Sequence, residues 1–250
     1  MSDRGYYDQQ MYKALLDTPL ESLHDNLIEA QKLMTYYKCA MYEVETKFKV
    51  LNEHLSLMHD QNPIDSIKTR LKSPESIGRK LKLRGLPLSL ESIEKNLTDI
   101  AGVRVICPFV DDIYMLADCL ISQDDVELLE KKDYIKNPKP NGYRSLHLII
   151  RIPIFLHKEK RSVTVEVQLR TIAMEFWANT EHRLRYKKDL PPQIVESISN
   201  DLKESATLSA MLDEKVLNIK KQLSEVGSPG GVWDLTDRLK LLGMQKTVSQ

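Results

Sequence analysis

Nine glycines are spread along this chain of 250 residues, and none falls in a GxxxxGK[S/T] or GxGxxG spacing. That excludes the two glycine-rich loops by which a backbone cradles phosphates, so any nucleotide must be held by side chains and a metal ion. Cysteine is scarcer still. Cys39, Cys107 and Cys119 are odd in number, form no CxxC pair and sit among apolar neighbours, the pattern of reduced thiols in a cytoplasmic protein. The six histidines make no HExxH or finger spacing, which speaks against zinc. An excess of one charge is missing too: Lys+Arg and Asp+Glu each total 36, so no global field draws the chain to DNA or to a membrane surface. Long apolar runs are absent, the best of them, Leu146 to Leu156, being broken by Arg151 and Pro153. The polar start Met1-Ser2-Asp3-Arg4 leads into no signal-peptide core. With 42% hydrophobic and 29% charged residues, the expectation is a soluble, cytoplasmic globular protein.

What is present begins with helix signals. Thr18-Pro19-Leu20-Glu21 is a capping box with proline at the first helical position. From Leu20 the apolar positions Leu23, Leu27, Ala30, Met34, Tyr37, Met41, Val44, Phe48, Leu51, Leu55 and Met58 follow in steps of three and four until Asn62-Pro63. Such a heptad seam faces one partner along its whole length, either the chain's own core or a second subunit. A second amphipathic helix opens at Pro191-Pro192 and runs through Ile194, Ile198, Leu202, Ala206, Leu208, Leu212, Val216, Ile219 and Leu223, with Gly227-Ser228-Pro229-Gly230-Gly231 as its break and a short tail helix around Trp233 to Leu242. Between these ends, strand patterns stand at 102–108, 126–132, 145–152 and 163–170, with a helix pattern at 110–121. The reading is an α/β (α+β) fold, a mixed sheet with helices packed on it, organised as an N-terminal helical region (1–63), a catalytic domain (64–190) and a C-terminal helical region with tail (191–250).

Chemistry concentrates in that middle region. Val163-Thr164-Val165-Glu166-Val167-Gln168-Leu169-Arg170 alternates strictly, so the valines and leucine share one face and Thr164, Glu166, Gln168 and Arg170 the other. Between residues 66 and 84, Lys68, Arg70, Lys72, Arg79, Lys80, Lys82 and Arg84 give seven cations against the single acid Glu75. A charge run is more often a solvated face, but here Ser73-Pro74-Glu75-Ser76 also starts a helix whose free amides suit an anion, with Ser76, Lys80 and Arg84 on one face. Asp99 stands just before a strand carrying Arg104; with Glu166 on a neighbouring strand it could supply two carboxylates for Mg²⁺, phosphates completing the octahedron. The turn-rich segment Asn137 to His147 places Tyr143 at a loop edge, where a ring can stack on a base, among Lys139, Asn141, Arg144 and His147. Ser145, His147 and Arg151 share a face of the strand that follows.

Four of these segments, in this order, resemble the alarmone (p)ppGpp synthetase family: Arg70-Leu71-Lys72-Ser73-Pro74-Glu75-Ser76-Ile77 with Lys80, Asp99-Ile100-Ala101-Gly102-Val103-Arg104, Asn141-Gly142-Tyr143-Arg144-Ser145-Leu146-His147, and Val165-Glu166-Val167-Gln168-Leu169-Arg170-Thr171. The resemblance covers roughly residues 64–187, and the modest length with helical flanks is similar to the small, single-domain alarmone synthetases. It implies a nucleotidyltransferase-like fold that transfers pyrophosphate from ATP to the 3′-hydroxyl of GDP or GTP with Mg²⁺, in the stringent response. By the same resemblance, Arg70 and Arg104 would flank the adenine; Lys72, Ser76, Lys80 and, less firmly fixed by the motif, Arg84 would hold the ATP phosphates. Asp99 and Glu166 would bind the metal, Glu166 also taking the acceptor proton, while Tyr143 would stack on guanine and Lys139, Asn141, His147 and Gln168 would fix the rest of the acceptor. Homotetrameric assembly is implied as well, with an alarmone or single-stranded RNA as candidate effector. Two departures stand out: Glu175, where relatives often carry Asp or Asn, and Leu83, which interrupts the basic spacing after Lys80. His59-Asp60 is a lone dipeptide in the heptad helix, so the hydrolase activity of the long bifunctional relatives is not expected. The rival readings are a toxin-like synthetase with an adenosine nucleotide or tRNA 3′ end as acceptor, and a non-catalytic nucleotide or RNA sensor.

Overall fold

A computed structural model describes residues 20–58, 62–185 and 192–226. Its elements are α1 (Leu20–Met58), β1 (Ser66–Leu71), α2 (Pro74–Leu83), α3 (Leu90–Asn96), β2 (Ala101–Cys107), α4 (Val110–Ile121), β3 (Glu127–Asp133), β4 (Leu146–Phe155), β5 (Lys160–Thr171), α5 (Ile172–Arg185) and α6 (Pro192–Val226). The capping residues Thr18 and Pro19, His59-Asp60, and the glycine-rich break and tail helix after Val226 lie outside the described residues.

Five strands form one mixed sheet in the order β1-β2-β5-β4-β3, with β2 and β5 parallel at its centre and every other pair antiparallel. Alternation gives the sheet two unlike faces. Val103 and Val105 of β2, Leu148, Ile150, Ile152 and Ile154 of β4, and Val163, Val165, Val167 and Leu169 of β5 are buried together. Over them lie α4, through Ile113, Leu116, Ala117 and Leu120, and α1, through Leu33, Tyr37, Ala40, Met41, Val44 and Phe48, with Leu51 and Leu55 partly buried alongside. The heptad seam is therefore satisfied within the chain: the apolar face of the sheet is the partner it needs from Leu33 to Leu55. The opposite face carries polar side chains and is bordered by α5, which packs on β2 and β5 and in turn on α6.

The sheet has one strand beyond those read from the sequence. In β1 the run Ser66-Ile67-Lys68-Thr69-Arg70-Leu71 turns Ile67 and Leu71 toward the core while Lys68 and Arg70 stand exposed. Both edge strands are charged, β1 by Lys68 and Arg70 and β3 by Glu130, Lys131 and Lys132, which guards their unpaired backbone against edge-to-edge association. The α2 signal holds: Ser73 accepts a hydrogen bond from the Ser76 amide at 3.3 Å, Pro74 opens the helix, and Ile77 and Leu81 are buried. Among the described side chains of the α6 stripe, Ile198, Leu202 and Ala206 pack against Trp177 and Tyr143, whereas Leu208, Leu212, Ile219 and Leu223 are exposed.

Candidate active site

Strand register sets the polar face out in transverse rows. Lys68, Arg104, Gln168, His147 and Lys132 are successive cross-strand partners, and Arg70, Gly102, Glu166, Ile149 and Glu130 form the adjacent row. Gly102 has no side chain between Arg70 and Glu166, and a cleft opens there, lined by Lys68, Thr69, Arg70, Asp99, Gly102, Val103, Arg104, Glu166 and Gln168.

At one end, Asp99 precedes β2 and its Oδ2 accepts from Lys72 Nζ at 2.5 Å and Lys80 Nζ at 2.6 Å. Burial pushes this carboxyl up, but the two ammonium groups outweigh it and hold it below the usual carboxylate range. Lys72 follows β1 and Lys80 stands on α2 one turn after Ser76, so the strand-to-helix turn is what converges both cations on one carboxylate. Asp99 Oδ1 is buried without a hydrogen-bond partner. A buried carboxylate oxygen left open, next to a second carboxylate, suits a hard divalent cation. No group of three or more His, Cys, Asp or Glu side chains among the described residues could hold a metal by itself, so phosphate oxygens and water would have to complete the shell. That is the coordination habit of Mg²⁺, and Asp99 and Glu166 fit it.

Glu166 stands at the middle of β5. Burial raises its carboxyl, and so does the like charge of Asp99, yet hydrogen bonds from His147 and Gln168 keep it below the usual range. His147 Nδ1 lies 3.2 Å from Glu166 Oε1, and Gln168 Nε2 donates to Oε2 at 3.0 Å. The other imidazole nitrogen, Nε2, is 2.8 Å from the Tyr143 hydroxyl, which itself accepts from Arg170 at 2.6 Å. With the proton on His147 Nδ1, a single chain of donors runs from Arg170 through Tyr143 and His147 to Glu166.

Tyr143 is held by its loop. Gly142, at φ +89°, closes the turn with its amide on the Lys139 carbonyl at 2.8 Å, and Asn141 Oδ1 accepts from the Tyr143 amide at 3.2 Å. The ring meets Tyr134 and His147 edge-on, with Lys139 Nζ 5.0 Å and the Arg170 guanidinium 5.1 Å from its centre. Arg144 is anchored elsewhere, on buried Asp213 of α6 at 3.0 Å.

The structure thus gathers Arg70, Arg104, Asp99, Glu166 and Gln168 in the cleft, sets Lys72 and Lys80 on Asp99, and places Tyr143, His147, Lys139 and Asn141 together at the loop. Ser76 stays at the α2 N-terminus. Arg84 departs from the expectation: it is the C-cap residue of α2 and donates to the Asn96 carbonyl at 2.9 Å, closing the end of α3 instead of lining the cleft. Arg151, on the same strand as His147, pairs with exposed Glu127 at 3.0 Å.

Three residues have larger parts than the sequence assigned them. Glu175, in the first turn of α5, is 7% exposed and accepts from Lys68 at 3.1 Å, Arg104 at 3.2 Å, Arg170 at 2.7 Å and Asn179 at 3.0 Å. Burial alone would raise its carboxyl, but Arg104, Lys68 and Arg170 pull it down to about 2. Arg170 was visible as a polar residue on an alternating strand and Lys68 as one cation of a basic run, but only strand register shows that they converge with Arg104 on one acid.

Comparison with known proteins gives a consistent picture. The family model described as a region found in RelA / SpoT proteins matches residues 69–190, from β1 to just past α5. The chain is 41% identical over 208 residues to the GTP pyrophosphokinase YwaC of Bacillus subtilis, a match covering 82% of this chain and 97% of the relative. Its structure is similar to the crystal structure of small alarmone synthetase 2 of B. subtilis, with a TM-score of 0.69, 42% identity and coverage of 78% of this chain and 99% of that one. It is also similar to B. subtilis small alarmone synthetase 1 bound to its product pppGpp, with a TM-score of 0.71, 32% identity and coverage of 78% and 98%.

Proposed function

The chain belongs to the RelA/SpoT family, and from that premise we propose that it is a GTP pyrophosphokinase, which transfers pyrophosphate from ATP to the 3′-hydroxyl of GDP or GTP and so makes (p)ppGpp. The observation that carries the reading is the layout of the polar sheet face: a cationic, carboxylate-bearing end at Lys72, Lys80 and Asp99, an aromatic end at Tyr143, and Glu166 between them. The relative bound to its product pppGpp has a similar fold over 78% of this chain. Neither a non-catalytic sensor nor a different acceptor is favoured by a chain so similar to GTP pyrophosphokinases.

On this reading Arg70 and Arg104 flank the donor base, and Lys72, Ser76 and Lys80 receive the donor phosphates. Tyr143 stacks on guanine, while Lys139, Asn141, His147 and Gln168 orient the acceptor. Holding the acceptor oxygen in line with the β-phosphorus is the larger part of catalysis, because displacement at phosphorus needs alignment and charge neutralisation more than covalent help. Glu166, kept ionised by its donors, accepts the hydroxyl proton. Mg²⁺, held by Asp99 and Glu166, supplies further neutralisation of the pyrophosphate when bound. Arg84 stands apart from this set, its guanidinium donating to the Asn96 carbonyl at the end of α3.

Cytoplasmic residence belongs to the same proposal, supported by three free cysteines and by the fact that no helix among the described residues is long and apolar enough to cross a membrane. So does assembly as a homotetramer, for which the exposed leucines of α1 and α6 are the support, with an alarmone or single-stranded RNA as the candidate effector.

Incubation with labelled ATP, Mg²⁺ and GDP or GTP should yield the 3′-pyrophosphorylated product. Glu166→Gln and Asp99→Asn should each lower turnover by more than about 10³-fold while remaining folded by circular dichroism. Near-wild-type turnover in either variant would remove that carboxylate from the reaction.

A further inference from the structure

Resting on the pyrophosphokinase reading above, we propose that Glu175 is a positioning residue that couples the donor-base end of the site to the acceptor-base end through Arg104 and Arg170. Its own carboxylate is saturated. Oε1 accepts from Lys68, Arg104 and Asn179, and Oε2 accepts from Arg104 at 3.3 Å and Arg170 at 2.7 Å. Buried and fully bonded, it has no free oxygen for a nucleotide, so it acts through the groups that it holds.

Those groups belong to different substrates. Arg104 lines the cleft beside Arg70 and Asp99, on the donor side. Arg170 is turned the other way, donating to the Tyr143 hydroxyl at 2.6 Å and lying over its ring, on the acceptor side. Two guanidiniums and the Lys68 ammonium would repel one another if brought together without an anion; one carboxylate makes their common position favourable. Gln168 is the second strut, since its Oε1 accepts from Arg104 Nε at 3.2 Å, Arg104 Nη2 at 3.1 Å and Arg170 Nη2 at 3.2 Å while its amide nitrogen holds Glu166. The Arg170 Nε is buried with no partner, so that guanidinium is held by its outer nitrogens alone and follows what Glu175 and Tyr143 do.

A donor base settling against Arg104 thereby fixes Glu175, hence Arg170, hence the plane of Tyr143 on which the guanine stacks. Ordering one end relieves the other of part of its ordering cost, which is positive coupling between the two nucleotides.

The test is calorimetric. The affinity for GDP is measured with and without a non-hydrolysable ATP analogue, and the ratio of the two is the coupling factor. Wild type should show a factor of about 5 or more. Glu175→Gln, nearly isosteric but uncharged, should bring the factor close to one, and Glu175→Asp, which keeps the charge, should restore part of it. Tyr143→Phe keeps the stacking ring and deletes the hydroxyl that receives Arg170 and meets His147, and it decides the matter if Glu175→Gln does not fold. It should lose the coupling, read as the ratio of its own GDP affinities with and without the analogue, whatever its GDP affinity alone. A wild-type factor near one, or an unchanged factor in folded Glu175→Gln or in Tyr143→Phe, overturns the role of Glu175. Failure of the wild-type enzyme to make a pyrophosphorylated guanosine nucleotide would instead overturn the reading on which the proposal rests, so the two failures are told apart.

Discussion

Glu175 sets one carboxylate against three cations, and its pKa of about 2 against an ordinary 4.5 makes it a stabilising group with a definite pH window. Because the folded pKa is depressed, the stabilisation is complete above about pH 4.5 and is lost as pH falls toward 2; a shift of this size corresponds to about 3 kcal/mol. Asp99 and Glu166, also lowered, act in the same direction, whereas Asp112 and Asp213 are raised chiefly by burial and act in the opposite one. Subtracting the variant isolates Glu175: denaturant unfolding of wild type and Glu175→Gln between pH 6 and pH 3 should give curves that converge as the pH falls. A constant gap over that range would mean that the charge of Glu175 is not what stabilises the cluster. Asp99, Glu166 and Tyr143 were legible in the sequence because a carboxylate before a strand, strict alternation and turn residues around an aromatic are all local signals. The hub was not, since Lys68, Arg104 and Arg170 come from three strands and meet only through their register. Arg84 misled for a similar reason: its helical spacing from Lys80 was right, but at the C-cap the last carbonyls of a nearby helix compete for a guanidinium.

Among the elements, α6 does more than cap the domain, because it presses against the loop that carries Tyr143. A side-chain carbon at Gly142 would come within 2.5 Å of the Ala206 Cβ, and the positive φ there is itself adverse to any L side chain. Trp177 Nε1 bonded to the Leu202 carbonyl at 2.9 Å and Arg144 bonded to Asp213 fix the same contact from two sides. Gly142→Ala should therefore cost about 1–3 kcal/mol of stability and weaken the guanine nucleotide more than ATP. Adding Ala206→Gly should recover the steric part and leave the backbone part, a split readable in a double-mutant cycle of melting and binding. A Gly142→Ala protein with wild-type melting and GDP affinity would show that the loop is free of α6. The strands at 127–133, 146–155 and 160–171 were legible to within a few residues at each end, because two of them alternate or run apolar beside turn signals. β1 was missed although Ile67 and Leu71 alternate with Lys68 and Arg70: its charges read as a solvated run, and an edge strand is where such charges belong.

For the whole molecule, the long seam of α1 shows how far a heptad repeat can be read. The periodicity was right, and it could not say which apolar surface answered it; Leu51 and Leu55 pack on the chain's own core, so charges placed there would attack the fold before any interface. Leu27 at 62% exposure, Val50 and Leu57 on α1 and Leu208, Leu212, Ile219 and Leu223 on α6 are among the apolar positions left outward, surfaces of the kind that self-association uses. Light scattering should give a mass of four subunits, and Leu208→Glu with Leu212→Glu should reduce it without changing the circular dichroism. A single-subunit mass for wild type would end the assembly proposal. Along β5, finally, odd-numbered Val163, Val165, Val167 and Leu169 face the core while even-numbered Glu166 and Gln168 face the cleft. One strand thus answers to two separable demands: a substitution at an odd position acts first on the packing of the core, and one at an even position acts first on the charges and donors that line the cleft.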